Sequence, residues 1–359
     1  PMQSSTRGDV DPFIVMDVME AARKAEAAGR HIIHMEVGQP GTVAPRAAVD
    51  RLRDDMDAPL GYTVGLGLPD LRARIAQHYA DWYGVNVDAG RVVITAGASG
   101  AFILAFSALF DNDNRVGLGT PCYPSYRQIL KAQGIVPVDI ASRVEDRFQP
   151  KPDDLPGDMS GLILASPSNP AGTMLDKAGL GDLVNAAAER GAAVVSDEIY
   201  HGLEYDRRGV SALEITDDVV VVNSFSKYWS MTGWRIGWMV VPDAMVRVAE
   251  RLQQNMFICA PHVSQVAALA ALEAEEEAQA NLAVYARNRA LMIEGLPKAG
   301  IHNFAPPDGA FYVYADVSDL TDDSEALAMD ILREVGVATT TGLDFDKSRG
   351  QGMLRLSYA

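Results

Sequence analysis

Short apolar segments alternate with amphipathic stretches along most of this chain. Several of these segments are continuously apolar and rich in β-branched residues, which is typical of strands buried on both faces of a sheet. The segments span residues 91–95, 115–119, 136–140, 161–165, 192–196, 219–223 and 235–241. Helical patterns lie between them at residues 100–110, 124–133 and 176–189. This alternation predicts an α/β fold with a mostly parallel sheet between layers of helices.

The C-terminal third of the chain has a different pattern. A long helical pattern runs over residues 261–296, and we interpret it as a helix that bends or bridges two domains. Beyond it, apolar segments at residues 310–315 and 352–357 flank a helical pattern at 323–335. These segments predict a small α+β unit beside the large sheet.

Polar or small residues follow five of the predicted strands by only a few positions. Ligands of parallel sheets bind beyond the carboxyl ends of the strands, where such residues come together. The residues are Gly97, Ala98, Ser99, Tyr123, Asn169, Asp197 and Lys227. The repeated placement predicts a binding site at this edge of the sheet.

Lys227 follows a buried strand, and Arg235 lies eight positions later. An amine condenses with an aldehyde only when it is neutral, so a Schiff-base lysine needs desolvation or a neighbouring positive charge. The sequence around Lys227 offers both, whereas the other lysines of the seven in the chain lie in polar or turn-like contexts. A surface lysine after a strand is the alternative.

Gly97, Ala98 and Ser99 close a strand and open a helix, where backbone N–H groups and the helix dipole favour an anion. Ser224, Ser226 and Arg235 would complete a phosphate site with hydroxyl and guanidinium donors. A glycine-rich turn without a ligand is the alternative. The chain contains no Walker A and no G-x-G-x-x-G sequence, which argues against nucleoside triphosphates and dinucleotides.

Three further residues have both a chemical and a structural interpretation. Asp197 ends a buried strand and needs a cationic or hydrogen-bonding partner, such as a protonated pyridine nitrogen, unless it only caps a helix. Asn169 lies between Pro167 and Pro170, in a turn that either directs its amide inward or simply reverses the chain. Tyr123 offers a ring face for a flat ligand, or is part of the core.

Composition narrows the class of protein. The chain has 359 residues and a formal net charge of −17, which opposes binding to nucleic acid or anionic membranes. Its two cysteines form neither a disulfide framework nor a zinc-ligand pattern, so no metal is expected. No apolar run approaches the roughly 18 residues of a membrane helix, and the first ten residues lack a signal pattern. We therefore expect a cytoplasmic protein.

Taken together, these residues resemble the class I/II aminotransferases, enzymes of fold type I that use pyridoxal 5′-phosphate (PLP). The branch with many bacterial aspartate and aromatic aminotransferases is the most similar. The resemblance covers nearly the whole chain. It rests on the ordered motifs Gly97-Ala98-Ser99, Tyr123, Asn169-Pro170, Asp197-x-x-Tyr200, Ser224-x-x-Lys227, Arg235, Gly309-Ala310-Phe311-Tyr312 and Arg355-Leu356-Ser357-Tyr358.

The resemblance implies a role for each residue around the cofactor ring. Lys227 would hold PLP as an internal aldimine and move the proton between the amino acid Cα and the cofactor. Asp197 would pair with the pyridine nitrogen, and Tyr123 would stack on the ring. Asn169 and Tyr200 would hydrogen-bond the phenolic oxygen.

It also implies the contacts at either end of the site. The phosphate would be bound by Gly97, Ala98, Ser99, Ser224, Ser226, Arg235 and, from the neighbouring subunit of a homodimer with shared active sites, Tyr62. The substrate α-carboxylate would be bound by Arg355, with help from Asn169 and the backbone at Gly38.

The fold implied by the family is a large PLP-binding domain over residues 41–285 and a small domain built from residues 1–40 and 286–359. The large domain would hold a seven-stranded mixed sheet in which the strand at 235–241 is antiparallel. Many relatives have a tryptophan where this chain has Tyr123, which predicts a different side-chain pocket. Relatives also continue through a helix after the last strand, which predicts a further segment beyond Ala359.

The function implied is transfer of an amino group from an L-amino acid to a 2-oxo acid, with 2-oxoglutarate as the acceptor, by a ping-pong mechanism. Two alternatives remain open on the same scaffold. One is a PLP-dependent C–S or β-elimination lyase, and the other is a non-catalytic regulator that binds PLP. Dicarboxylate substrates need a second cation in the pocket, and the sequence alone places none there.

Overall fold

The dominant feature of the computed structural model, which describes residues 1–359, is a seven-stranded sheet. Its strands are β2 (Val92–Thr95), β3 (Arg115–Thr120), β4 (Val136–Ala141), β5 (Gly161–Ala165), β6 (Ala193–Asp197), β7 (Val220–Ser224) and β8 (Gly237–Val240). Their spatial order is β2-β8-β7-β6-β5-β3-β4. Only β8 is antiparallel to its neighbours. The seven predicted strands and the antiparallel one are confirmed.

Helices cover both faces of this sheet, which explains why β5, β6, β7 and β8 are almost entirely buried, whereas the edge strand β4 is partly exposed. Alternate residues of one strand enter different cores: Val92 and Ile94 pack into one, and Val93 packs into the other. The helices from the first part of the chain are α1 (Val15–Ala27), α2 (Arg46–Asp55), α3 (Pro69–Tyr83), α4 (Gly97–Leu109), α5 (Pro124–Ala132) and α6 (Lys177–Glu189). Buried residues of α3 and α6 belong to the first core, and those of α4 and α5 to the second.

The long helical pattern is divided in the structure. After α7 (Asp243–Met256), helix α8 (His262–Ala271) ends before Leu272, and α9 (Glu275–Lys298) begins three residues later. The break leaves three glutamates in the first turn of α9, where the helix dipole favours negative charge. The apolar periodicity continues through the break because Leu272 and Ala274 stay buried.

Two small sheets bring the chain ends together. The first pairs β1 (Ile33–His34) in parallel with β10 (Val337–Ala338), and the second has the order β11-β12-β9. Its members are β9 (Tyr312–Asp316), β11 (Thr340–Thr341) and β12 (Met353–Ser357), with α10 (Ser324–Val335) between β9 and β10. The division into domains at residues 41–285 and 1–40 with 286–359 stays a prediction.

None of the helices combines the length and hydrophobicity that a membrane crossing requires. Strands β2, β3, β5, β6 and β7 run in the same direction, so their carboxyl ends meet at one edge of the large sheet. Strand β12 carries Arg355, which lies against Asn169 at that edge. The candidate chemistry therefore lies between the large sheet and the smaller three-stranded sheet.

Candidate active site

A cavity of about 370 Å³ opens at the carboxyl edge of the large sheet. Most of the predicted site residues line it: Gly38, Ala98, Ser99, Tyr123, Asn169, Asp197, Tyr200, Ser226, Lys227, Arg235 and Arg355. Gly97 adjoins it through Arg235. Ser224 lies behind the cavity wall, and Tyr62 is 82% exposed on the surface outside it.

Lys227 lies three residues past the end of β7, in the middle of the cavity wall. Its Nζ donates a hydrogen bond to the carbonyl oxygen of Gly38 at 2.5 Å. Burial lowers the pKa of this amine to about 8, and the positive charges of Arg355 and Arg235 act in the same direction. A substantial neutral fraction near neutral pH is what a nucleophilic lysine requires.

Asp197 ends β6 and is 4% exposed. Its carboxylate accepts hydrogen bonds from the Tyr126 hydroxyl and from the backbone N–H of Ile199, and neither partner carries a positive charge. Burial raises the pKa of this carboxyl to about 6, although both hydrogen bonds oppose the shift. A cationic ring nitrogen is a partner that would stabilise the ionised form.

An anion cradle forms where β2 meets α4. Gly97 has φ +69°, and a Cβ at this position would lie 2.6 Å from Nη2 of Arg235, so only glycine fits. The N-terminus of α4 and the guanidinium of Arg235 therefore approach each other closely. Ser99 and Ser226 line the same part of the cavity. Backbone N–H groups, hydroxyls and a guanidinium are the donors that bind phosphate.

Ser224 has an indirect place in this cradle. Its side chain is fully buried, and its hydroxyl donates to Ser226 Oγ at 2.8 Å. The same Ser224 oxygen accepts the Ser226 backbone N–H at 3.0 Å. Ser224 thus orients Ser226 in this structure, and the direct phosphate contact expected of Ser224 stays a prediction.

Arg355 is a buried cation on β12, with 5% exposure. Its Nη1 donates to Asn169 Oδ1 at 2.8 Å, its Nη2 donates to the carbonyl oxygen of Glu36 at 2.6 Å, and neither partner is a carboxylate. Its Nε has no partner. The guanidinium Cζ also lies 4.4 Å from the ring centroid of Tyr312. A buried cation fixed in this way fits a substrate carboxylate, which would offset its charge.

Tyr200 and Tyr312 connect the lysine region to Arg355. Their hydroxyl oxygens are 2.6 Å apart, and burial raises the pKa of both phenols. A Cβ at Gly38 would lie only 2.0 Å from the Tyr312 hydroxyl oxygen, so glycine is required where this backbone approaches the site. Because one hydroxyl donates to the other, the second keeps its proton free to donate to a bound ligand.

Sequence reasoning missed several residues of the site. Tyr126 lies three positions after Tyr123 on the first turn of α5, and this spacing was a signal for a shared face. Tyr312 belonged to a matched motif but was given no role. Other missed residues come from segments far apart along the chain, namely Phe13, Val15, Met16, Met19, Glu36, Asp344 and Phe345.

The set of residues fits a planar pyridine ring that carries an aldehyde and a phosphate. The amine of Lys227 is available to the aldehyde, the carboxylate of Asp197 to a protonated ring nitrogen, and the cradle at Gly97 to the phosphate. Tyr123 adds an aromatic face, held against Tyr126 with ring centroids 5.5 Å apart. One cavity therefore brings together an amine, a carboxylate, an anion cradle and an aromatic face that fit such a cofactor.

Comparison with known proteins finds aminotransferases by family, by sequence and by structure. Residues 30–359 match the family described as aminotransferase class I and II. The chain is 43% identical to a valine–pyruvate aminotransferase of Mycobacterium tuberculosis, over 98% of this chain and 93% of the relative. A solved structure from Silicibacter pomeroyi, of a protein assigned to the aminotransferases, is 64% identical with a TM-score of 0.95, over 99% of this chain and 94% of that chain. The aspartate aminotransferase of Thermus thermophilus, solved with maleate, has 28% identity and a TM-score of 0.93, over 100% and 95%.

Proposed function

This chain belongs to the class I and II aminotransferases, a PLP-dependent family, and we propose that it transfers an amino group from L-amino acids to 2-oxo acids with PLP held on Lys227. The observation that carries this proposal is the shared cavity. A lysine with a lowered pKa, a buried carboxylate, an anion cradle and a buried arginine without a carboxylate partner face one space of about 370 Å³.

When bound, PLP supplies an aldehyde that takes the amino group and a protonated ring that withdraws electrons from the substrate Cα. Arg355 binds the α-carboxylate as a fork, and Asn169 fixes the plane of the guanidinium. Lys227 Nζ takes up the proton from Cα, because its lowered pKa keeps part of the amine neutral. Asp197 keeps a negative charge at the ring nitrogen position, oriented by Tyr126 and Ile199.

The ping-pong order follows from the single carboxylate fork. Donor and acceptor both carry an α-carboxylate, so each in turn would bind Arg355, and the donor must leave as a 2-oxo acid before the acceptor enters. The family resemblance gives 2-oxoglutarate as the acceptor. The proposed domain division, residues 41–285 against 1–40 with 286–359, would place Lys227 and Arg355 on different domains that meet around the substrate.

An amino-donor screen tests the proposed function directly. Purified protein loaded with PLP is incubated with single amino acids and either 2-oxoglutarate or pyruvate, and glutamate, alanine and ammonia are measured. We expect new amino acid without ammonia. Ammonia with no new amino acid would instead establish a lyase, and neither product across the full panel of donors would support a non-catalytic protein.

Arg355→Lys should lower kcat/KM for every substrate by a similar factor. The lost fork is buried and charge-assisted, so we expect a loss of about 2–4 kcal/mol in transition-state stabilisation. PLP content should stay near that of the wild type, because the residue contacts substrate and not cofactor. The measurement is kcat/KM for several donors beside bound PLP. Arg333→Lys, on the exposed surface of α10, is the matched control. An unchanged kcat/KM, or a loss matched by loss of PLP, would remove Arg355 from this role.

We further propose a homodimer in which Tyr62 reaches the phosphate cradle of the partner. Tyr62, Val64, Met256 and Ile258 are large apolar residues that are 82%, 61%, 49% and 47% exposed. Their segments adjoin, since His262 Nδ1 lies 2.7 Å from the Gly61 carbonyl oxygen. Clustered apolar exposure is typical of an interface, and an isologous dimer would bury both copies of the cluster.

Mixing a Tyr62→Phe subunit with a Lys227→Ala subunit should restore activity. If Tyr62 acts across the interface, each hybrid dimer has one site with both native residues. Losing a phosphate hydrogen bond costs roughly 1–2 kcal/mol, so the Tyr62→Phe parent is best assayed at limiting PLP. We expect the mixture to exceed the summed activity of the parents. A mixture equal to that sum, or a fully active monomer by light scattering, would contradict the shared site.

A further inference from the structure

A partly exposed apolar wall lines the cavity on the side that comes from the N-terminal part of the chain. It consists of Phe13, Val15, Met16 and Met19, at the start of α1. The Phe13 ring lies 6.3 Å from the ring of Tyr123, so the wall continues to the residue that directly precedes α5. The wall carries no hydrogen-bonding side chain that would recognise a polar substrate group.

The wall borders the arginine that we assign to the substrate α-carboxylate. The ring of Phe345, which also lines the cavity, lies 4.7 Å from Cζ of Arg355. The next residue toward the N-terminus, Asp344, contacts the wall itself. Because Lys227, Arg355 and the wall line one cavity, a substrate with its carboxylate at Arg355 and its amino group at Lys227 would have its side chain beside this wall.

Asp344 holds the wall in place. One carboxylate oxygen accepts the N–H of Ile14 at 2.7 Å, and the other accepts the N–H of Val15 at 2.8 Å. Both are donors at the start of α1 that have no partner within the helix. Burial raises the pKa of Asp344, and the carboxyl also lines the cavity. The side-chain end of the pocket is therefore apolar with an acidic group at its edge.

Each lysine and arginine that lines the cavity already has an assigned role. The cavity lining contains Lys227, Arg235 and Arg355 and no other lysine or arginine. Lys227 supplies the reacting amine, Arg235 is part of the phosphate cradle, and Arg355 binds the α-carboxylate. The two segments that we propose for the interface near the cradle, residues 61–65 and 254–260, contain neither lysine nor arginine. A second substrate carboxylate would be left buried without a counter-ion, which is costly.

We propose that this cavity selects L-amino acids with uncharged, apolar side chains, and that Asp344 is the positioning residue that fixes the apolar wall and disfavours a second carboxylate. The proposal rests on the aminotransferase function proposed above. The same wall receives the side chain of the acceptor. Monocarboxylic 2-oxo acids such as pyruvate should therefore be better acceptors than 2-oxoglutarate, the acceptor that the family resemblance implies.

Single-turnover half-reactions of the PLP-loaded protein test the substrate class. The donors are alanine, valine, leucine, methionine, aspartate and glutamate, and the readout is kcat/KM from the change in cofactor absorbance. We expect roughly a fourfold gain for each methylene that contacts the wall. Leucine should exceed aspartate on the order of a hundredfold, because the second carboxylate is unpaired. Aspartate or glutamate reacting as well as leucine would overturn the proposal, whereas no reaction with any donor would overturn the proposed function itself.

Two variants locate the selectivity. Phe13→Ala should lower kcat/KM for leucine about tenfold and leave kcat/KM for alanine within about twofold of the wild-type value. The reason is that only the longer side chain would contact the Phe13 ring. Val10→Ala is the control, because Val10 is 39% exposed in the same segment and does not line the cavity. Equal losses for leucine and alanine in Phe13→Ala would mean that the wall is only structural.

Asp344→Asn keeps the size of the side chain and removes its charge, and its one amide oxygen can still accept from Ile14 or Val15. It should raise the aspartate-to-leucine ratio of kcat/KM about tenfold, with PLP content unchanged. Asp17→Asn removes an acidic charge from the exposed side of the same helix turn and should leave the ratio as it is. An unchanged ratio in Asp344→Asn would exclude its selecting role, and the melting temperature of the variant separates this result from unfolding.

Discussion

Lys227→Ala should abolish turnover and leave a protein that binds PLP only without a covalent bond. The amine is the sole lysine of the cavity, and its lowered pKa of about 8 makes it the group that can both bind an aldehyde and accept a proton. Loss of a positioned general base alone costs typically 10²- to 10⁴-fold in rate, and loss of the covalent attachment adds to this. We expect activity below detection in the donor screen.

The attachment site can be measured independently of turnover. Borohydride reduction of the wild-type protein should fix the cofactor irreversibly, and mass spectrometry of the digest should find it on the peptide with Lys227. Lys298→Ala is the control, because this lysine is exposed on α9 and pairs with Glu294. The control should keep its bound PLP and its activity. A cofactor recovered on any other lysine, or a Lys227→Ala protein that still turns over, would contradict the assignment.

The large sheet was predictable because its signal is local. Most of its strands are short apolar runs with both faces buried, as in β7 and β8, and the partly exposed edge strand β4 is the exception. A turn or helix pattern follows each run. The two-residue strands β1, β10 and β11 were not predictable, since two residues show no periodicity. The break between α8 and α9 also escaped prediction. Neither Gly nor Pro marks residues 272–274, and the apolar spacing continues across them.

The active site also combines residues that local sequence patterns predict with residues that they do not. Lys227, Asp197 and Asn169 follow strands directly, so the rule that ligands bind at the carboxyl ends of strands brings them together without a structure. The contact of Asp344 with Ile14 and Val15 joins residues about 330 positions apart, and no local pattern specifies it. Long-range contacts of this kind determine the shape of the substrate pocket, whereas the cofactor residues are set by local elements.

Burial acts on the two central charges in opposite directions. It lowers the pKa of Lys227 and raises that of Asp197, and in both cases it favours the neutral form. For Lys227 the neutral form is the reactive one. For Asp197 the ionised form is the useful one, and the protein without cofactor must hold it against desolvation. Asp197 is therefore a residue at which function and stability oppose each other.

Asp197→Asn should slow removal of the Cα proton by orders of magnitude. The carboxylate stabilises a protonated ring nitrogen in a site with little water, where one such electrostatic contact contributes about 10²- to 10³-fold or more. Asparagine keeps the size of the side chain and an oxygen that can accept from Tyr126 or Ile199. The fall in rate therefore measures the effect of removing the negative charge. The measurement is the single-turnover rate with α-deuterated and ordinary donor, beside PLP content.

The same variant should make the cofactor-free protein more stable above pH 6. Because the folded pKa of about 6 exceeds the ordinary aspartate pKa of 3.8, folding favours the protonated acid, and stability is lost as the pH rises from about 4 through 6. Asparagine does not ionise, so the stability of Asp197→Asn relative to wild type should increase over this range and reach a plateau of about 1–3 kcal/mol at pH 8. Urea unfolding of the apo forms at pH 4, 6 and 8 measures it. A constant difference in unfolding free energy between the two proteins across that range would show that Asp197 ionises in the folded protein as easily as in water. In the kinetic experiment, near-normal removal of the Cα proton by Asp197→Asn would mean that Asp197 is only a helix cap.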